Sequence, residues 1–151
     1  MMSDVPLRTE SPKPLPTPSE INEFVAAEYP AASDRYCSVE VGEGFAVARW
    51  TYDPTLDRPG GLISGPTQFT LCDSVLWHLS FTVVGLQAMA VTSDLHITFL
   101  RPARGGDLLA RAELIRAGRS RITGDVIVWV DGDRDRPVTH AVGSYAVLGA
   151  R

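Results

Sequence analysis

From Gly65 to Val84 the sequence reads GPTQFTLCDSVLWHLSFTVV, with no glycine inside and its one proline at the second position. Proline there costs a helix nothing, because the donor it lacks would have no intrahelical partner. Ser64 can cap the start and Gly85 the end. At 1.5 Å per residue the helix would be roughly 28 Å long. Phe69, Leu71, Cys72, Val75, Leu76, Leu79, Phe81 and Val83 cover more than one of its faces. A helix apolar nearly all round belongs in a core. The rest of the chain must therefore surround one long rod.

The flanking segments read as strands. Tyr36–Val41 and Phe45–Tyr52 enclose Gly42-Glu43-Gly44, a hairpin signal. Beyond the helix, β-like stretches run over 88–100, 107–117, 120–131 and 137–148, with Gly105-Gly106, Gly118 and Gly132 between them. Before the strands, Ile21, Phe24, Val25 and Tyr29 fall at helical spacing. They suggest a short amphipathic helix over 20–29, capped by Ser19 and ended by Pro30. One helix cannot cover two sheets, but a strongly curved antiparallel sheet can wrap one helix. The expectation is an α+β domain over 19–151. It is preceded by an extended, flexible Pro-rich leader over 1–18, where Pro6, Pro12, Pro14, Pro16 and Pro18 fix the backbone.

Bulk properties remove several function classes. A net charge of −4 argues against a nucleic-acid partner. No apolar run approaches the ~20 residues of a membrane span. The opening MMSDVPLRTESPKP has no apolar signal-peptide core, which suggests a cytoplasmic location. Cys37 and Cys72 have no metal-ligand spacing and read as buried free thiols.

Asp73 interrupts the apolar helix. Steps of about 100° per residue bring Pro66, Phe69, Thr70, Leu76, Trp77, Ser80 and Val84 onto its side. A carboxylate on so apolar a face is costly unless it is paired or needed. Either it only fixes packing, through Thr70, Ser80 or a strand residue, or it does chemistry. The helix start favours chemistry, since free N–H groups at an N-terminus suit an oxyanion. Gly65 and Asp73 lie about 12 Å apart along one helix, too far for joint attack on one group. Two copies could bring one helix start opposite the other's Asp73.

GGLISGPTQFTLCD, followed by Val91-Thr-Ser-Asp-Leu-His-Ile-Thr-Phe-Leu-Arg-Pro102, resembles the hotdog-fold thioesterases of the phenylacetate-pathway (PaaI-like) type. In that family His-Gly-Gly opens the central helix, Leu-x-Asp follows, and a strand ends in Phe-x-Arg-Pro. The resemblance covers residues 36–148. It implies an acyl-CoA or aryl-CoA thioesterase, with coenzyme A entering only as part of the substrate and no metal. Asp73 would be nucleophile or general base, the Gly65 amide the oxyanion donor, and Thr92 the hydroxyl that positions water. It further implies a homodimer or homotetramer with sites at the subunit interface. Ser64 stands for the family's histidine, Pro66 for its second glycine, and Arg58 for an asparagine that helps hold the thioester. These departures mark a divergent branch. They also keep open a non-catalytic acyl-CoA or lipid-like ligand binder.

Other residues carry competing readings. Asp73 and His78 match the Asp-x4-His spacing of hotdog-fold hydratases, but five helical steps point them about 140° apart. His78 then reads as a satisfied core or interface histidine. Asp94 and His96 share a strand face with Thr92 by parity, without a third metal ligand nearby. Arg116, Arg119 and Arg121 gather at one turn, where family members carry basic residues; Arg119 is the candidate for coenzyme A phosphates. Trp77, on the side of Asp73, could line the acyl pocket.

Overall fold

In the computed structural model, which describes residues 14–149, the first element is helix α1 (Pro18–Glu28). Most of the expected leader lies outside the described residues. The N-cap is Thr17 rather than Ser19: its hydroxyl accepts from Glu20 N at 3.1 Å, and the Glu20 carboxylate accepts from Thr17 N at 2.9 Å. This reciprocal box, with Pro18 at the first helical position, outcompetes the serine two residues later. As expected, α1 stops just before Pro30, with Tyr29 as its C-cap, and Pro30 starts a separate element, the single turn α2 (Pro30–Ser33).

Strands β1 (Tyr36–Gly42) and β2 (Phe45–Trp50) follow. After a 3-10 turn at Pro54–Leu56 comes α3 (Gly65–Val84), with the bounds expected from its caps. β3 (Ala90–Phe99), β4 (Leu108–Ala117), β5 (Arg121–Val130) and β6 (Thr139–Val147) complete the chain. All six strands form one antiparallel sheet in the order β1-β2-β4-β5-β6-β3. Every strand packs on α3. Leu71, Cys72, Val75, Leu76, Leu79 and Phe81, which point in several directions from the helix axis, are all within 2% of full burial. This is the hotdog architecture.

The helix reaches the sheet through a pair of glycines. Gly124 on β5 and Gly143 on β6 are register partners. A Cβ at Gly124 would lie 2.5 Å from Leu79 Cδ2, and one at Gly143 would lie 2.8 Å from Leu76 Cδ1 and 2.9 Å from the Asp94 carbonyl oxygen. The two empty positions form a trench for the leucines of α3. Gly143→Ala has the rigid Asp94 backbone in its way and is expected to cost about 1–3 kcal/mol through overpacking. A urea melt of the variant checks this.

The sheet has two edges. On β1, the Asn22 side chain of α1 completes the ladder. Its amide donates to Ser38 O at 3.1 Å and accepts from Ser38 N at 2.7 Å. The β3 edge has no such cover among the described residues, and Val91, Phe99 and Leu100 are exposed there. An open edge with apolar side chains is a template for pairing with another chain.

Candidate active site

Asp73 lies in the third turn of α3 and is half-buried, between the buried core and an exposed strip made of Pro66, Phe69 and Thr70. Two hydroxyls meet its carboxylate. Thr92 of β3 donates to Oδ1. Tyr145 of β6 donates to the same Oδ1 at 2.7 Å and to the Asp73 carbonyl oxygen at 2.8 Å. No protein donor among the described residues reaches Oδ2. The helix thus presents a carboxylate with one oxygen held and the other free.

A bulge aims Thr92. Thr92 pairs with Tyr145 and Asp94 with Ser144, so Ser93 is an extra residue on β3. Simple alternation would have put Thr92, Asp94 and His96 on one face. The bulge instead turns Thr92 toward the helix while Asp94 and His96 stay on the outer face. Asp94 Oδ2 there lies 4.0 Å from Arg121 Nη1. The one-face expectation is therefore corrected, because parity counting cannot register an inserted residue.

The start of α3 has a sparse donor inventory. The Ser64 hydroxyl accepts from Thr67 N at 3.2 Å and donates to Thr67 Oγ1 at 3.0 Å. Pro66 has no N–H. That leaves Gly65 as the open amide of the first turn, since N-terminal amides have no intrahelical acceptor. The ring of Phe99 lies against it; a Cβ on Gly65 would sit 3.2 Å from Phe99 Cζ. Gln68 braces the approach from inside, donating to Ile63 O at 3.2 Å and accepting from Thr139.

Two hollows meet at Gly65. One, of about 500 Å³, is apolar and bounded by Pro66, Phe69, Thr70, Ile97 and Phe99. The other, of about 390 Å³, has Arg58, Gln68 and Arg101 among its walls. Arg58 sits at the base of a tight turn, its N–H bonded to Leu62 O at 2.9 Å. Asp73 continues the strip formed by Pro66, Phe69 and Thr70. Within one chain the Gly65 amide remains about 12 Å along the helix from Asp73.

The remaining candidates lie elsewhere. Trp77 does not border either hollow: its indole N–H donates to Gln87 O at 3.2 Å, and its ring packs on Phe24 of α1 and on Phe81. Arg119 is exposed in the β4–β5 turn, where Gly118 N bonds Arg121 O at 2.8 Å. His78 is a core histidine, but it is not satisfied. It is fully buried beside Tyr36 and Phe81, and neither ring nitrogen has a partner among the described residues. Burial alone pushes its pKa down to about 3.

The groups nearest Asp73 stay protonated. Burial, reinforced by the Asp73 charge, pushes the Cys72 thiol up to about 12, so it is no competing nucleophile. Burial first, then Asp73, raises Tyr145 well above the ordinary phenol range. Burial likewise raises Tyr36, with Ser74 opposing. Tyr145 escaped the sequence reading, although β6 alternation puts Thr139, Ala141, Gly143, Tyr145 and Val147 on the inner face. A tyrosine among the inward positions of that strand was the available signal.

A profile of the thioesterase superfamily matches residues 60–136. Among solved structures, the PaaI protein of the Escherichia coli phenylacetic acid degradation operon is 23% identical. That match covers 86% of this chain and 93% of that one, at a TM-score of 0.73. The Haemophilus influenzae thioesterase HI1161 is 20% identical over 89% of this chain and 92% of its own, at a TM-score of 0.75. Zebrafish thioesterase superfamily member 2 is 16% identical over 87% of this chain and 99% of its own, at a TM-score of 0.74. These likenesses establish a shared fold. No curated protein sequence matches the chain.

Proposed function

The chain belongs to the thioesterase superfamily, and we propose that it hydrolyses an acyl-CoA or aryl-CoA thioester at a site formed by two copies of itself. The observation that carries this reading is the Asp73 carboxylate, with Oδ1 held by Thr92 and Tyr145 and Oδ2 free, on the same helical strip as an apolar hollow.

The chemistry follows from the free oxygen. As general base, Oδ2 takes a proton from water while the water oxygen bonds to the thioester carbonyl carbon. As nucleophile, Oδ2 bonds to that carbon itself, and water later opens the anhydride. In both cases the carbonyl oxygen becomes an oxyanion, which the Gly65 amide of the partner copy stabilises. The carbon–sulfur bond then breaks, and the thiolate leaves and is protonated. Thr92 helps orient the attacking group. Ser64 supports the geometry by keeping Thr67 N occupied. Arg58 stands at the mouth beside Gly65, and Arg119 offers its guanidinium to coenzyme A phosphates. Trp77 supports the helix from behind. No metal is required, and no helix of the described residues is long and apolar enough to cross a membrane.

The need for a partner comes from the separation of Gly65 and Asp73, and its docking face from the open β3 edge. Phe69 and Phe99, 41% and 51% exposed, flank that edge. Self-association would cover them as a homodimer, or as a homotetramer built from two dimers. Phe69→Glu is expected to shift the protein toward monomer in sedimentation velocity and to remove turnover while the monomer stays folded. A monomeric wild type would overturn the shared site. Thiol release from acetyl-, octanoyl-, benzoyl- and phenylacetyl-CoA tests the activity. Stabilisation by these compounds without thiol release would instead support the non-catalytic binder that Arg58 and Pro66 leave open.

A further inference from the structure

Both hydroxyl donors near Asp73 converge on one oxygen. Thr92 and Tyr145 face each other across the β3–β6 ladder, and the Ser93 bulge turns Thr92 inward beside the tyrosine. Tyr145 is 5% exposed, and its hydroxyl bridges Oδ1 and the carbonyl of the same residue, Asp73. A donor shared between a side chain and its own backbone restrains the torsions between them. With Oδ1 tied to the helix in this way, rotation of the carboxylate would break two hydrogen bonds. Burial keeps the phenol protonated, so it remains a donor wherever the carboxylate is charged.

We propose that Tyr145 is a positioning residue which, together with Thr92, locks Oδ1 of Asp73 and presents Oδ2 alone to the substrate. This rests on the thioesterase reading for its effect on rate, but the lock itself is a property of the folded chain. One consequence follows for the rate. Removing the phenol hydroxyl frees the carboxylate to rotate, which lowers the fraction of productive encounters without weakening substrate binding. The titratable groups around Asp73 are Tyr36 on β1, Tyr145 on β6 and Cys72 on α3 itself. All three are held protonated by burial, so none places a second charge beside the carboxylate.

The test is Tyr145→Phe, which keeps the buried ring. On whichever acyl-CoA the wild type turns over, kcat is expected to fall about ten- to hundred-fold with KM within about two-fold. Thr92→Val should lower kcat in the same way, and Thr92→Ser, which keeps the hydroxyl, should keep kcat close to wild type. Unchanged kcat in Tyr145→Phe overturns the proposal and leaves the thioesterase reading standing. If the wild type turns over none of the compounds, that reading fails. The lock is then decided by carboxyl carbon NMR of 13C-aspartate-labelled protein, with the Asp73 signal assigned through Asp73→Asn. At fixed neutral pH, a changed chemical shift of that signal in Tyr145→Phe supports the lock, and an unchanged one overturns it.

Discussion

Asp73→Asn is expected to lower kcat for thioester hydrolysis by roughly 10³-fold, within the range of losses seen when a general base is removed. Asparagine is the informative substitution. Its amide oxygen can still accept from Thr92 and Tyr145, so the local hydrogen bonds and the fold survive. What disappears is the free charged oxygen, because the NH₂ group that replaces it neither takes a proton nor attacks a carbonyl. KM should stay close to wild type, since the apolar hollow and the Gly65 amide are untouched. Steady-state thiol release and a thermal melt of the same preparation check both halves. Retained turnover would remove Asp73 from the mechanism.

The second large effect concerns acid stability and involves no catalytic group. His78 is buried with both nitrogens unpaired, and its pKa falls to about 3 from an unfolded value of 6.5. Above 6.5 the residue is neutral in both states and contributes no pH dependence. As pH falls below 6.5 the unfolded chain takes up a proton that the folded chain refuses, and the folded state loses about 1.4 kcal/mol per pH unit. The loss continues until the folded-state pKa is reached, for a total of about 5 kcal/mol. His78→Leu removes the titrating group and the two orphaned nitrogens, at the expense of ring contacts with Tyr36 and Phe81. The variant is expected to lie within about 1 kcal/mol of wild type at pH 7.5, because these effects oppose. At pH 4.5 it should be more stable by about 3 kcal/mol relative to that baseline. Urea melts at the two pH values measure the difference; equal pH slopes would show that His78 does not titrate on unfolding.

Both effects trace to residues with a clear sequence signature and a less clear partner. Asp73 stands out as an acid in an apolar helix, and that contrast marked it as the candidate for chemistry. Helical angle set His78 apart from Asp73 and left it as a core or interface histidine; it lies in the core. Its lack of partners depends on which strands and rings surround it, and no spacing along the chain encodes that.

The same division runs through the whole molecule. Periodicity and caps along the chain determined α3 to the residue and each strand to within about two, because local hydrogen bonding and burial act over a few residues. The single-helix constraint then required a sheet that wraps it. Sequence could not locate the Ser93 bulge, the Gly124–Gly143 trench or the meeting of Tyr145 with Thr92. Each depends on the register between strands distant in the chain, where a shift of one residue reverses every side chain. Trp77 shows the limit from the other side. Helical angle correctly placed it near the face of Asp73, but only the packing of α1 over the helix turned its ring toward Phe24 rather than toward the hollow. The identity of the candidate acid was thus local information. Which of its oxygens is held, and by what, was settled by contacts between segments that the chain brings together only on folding.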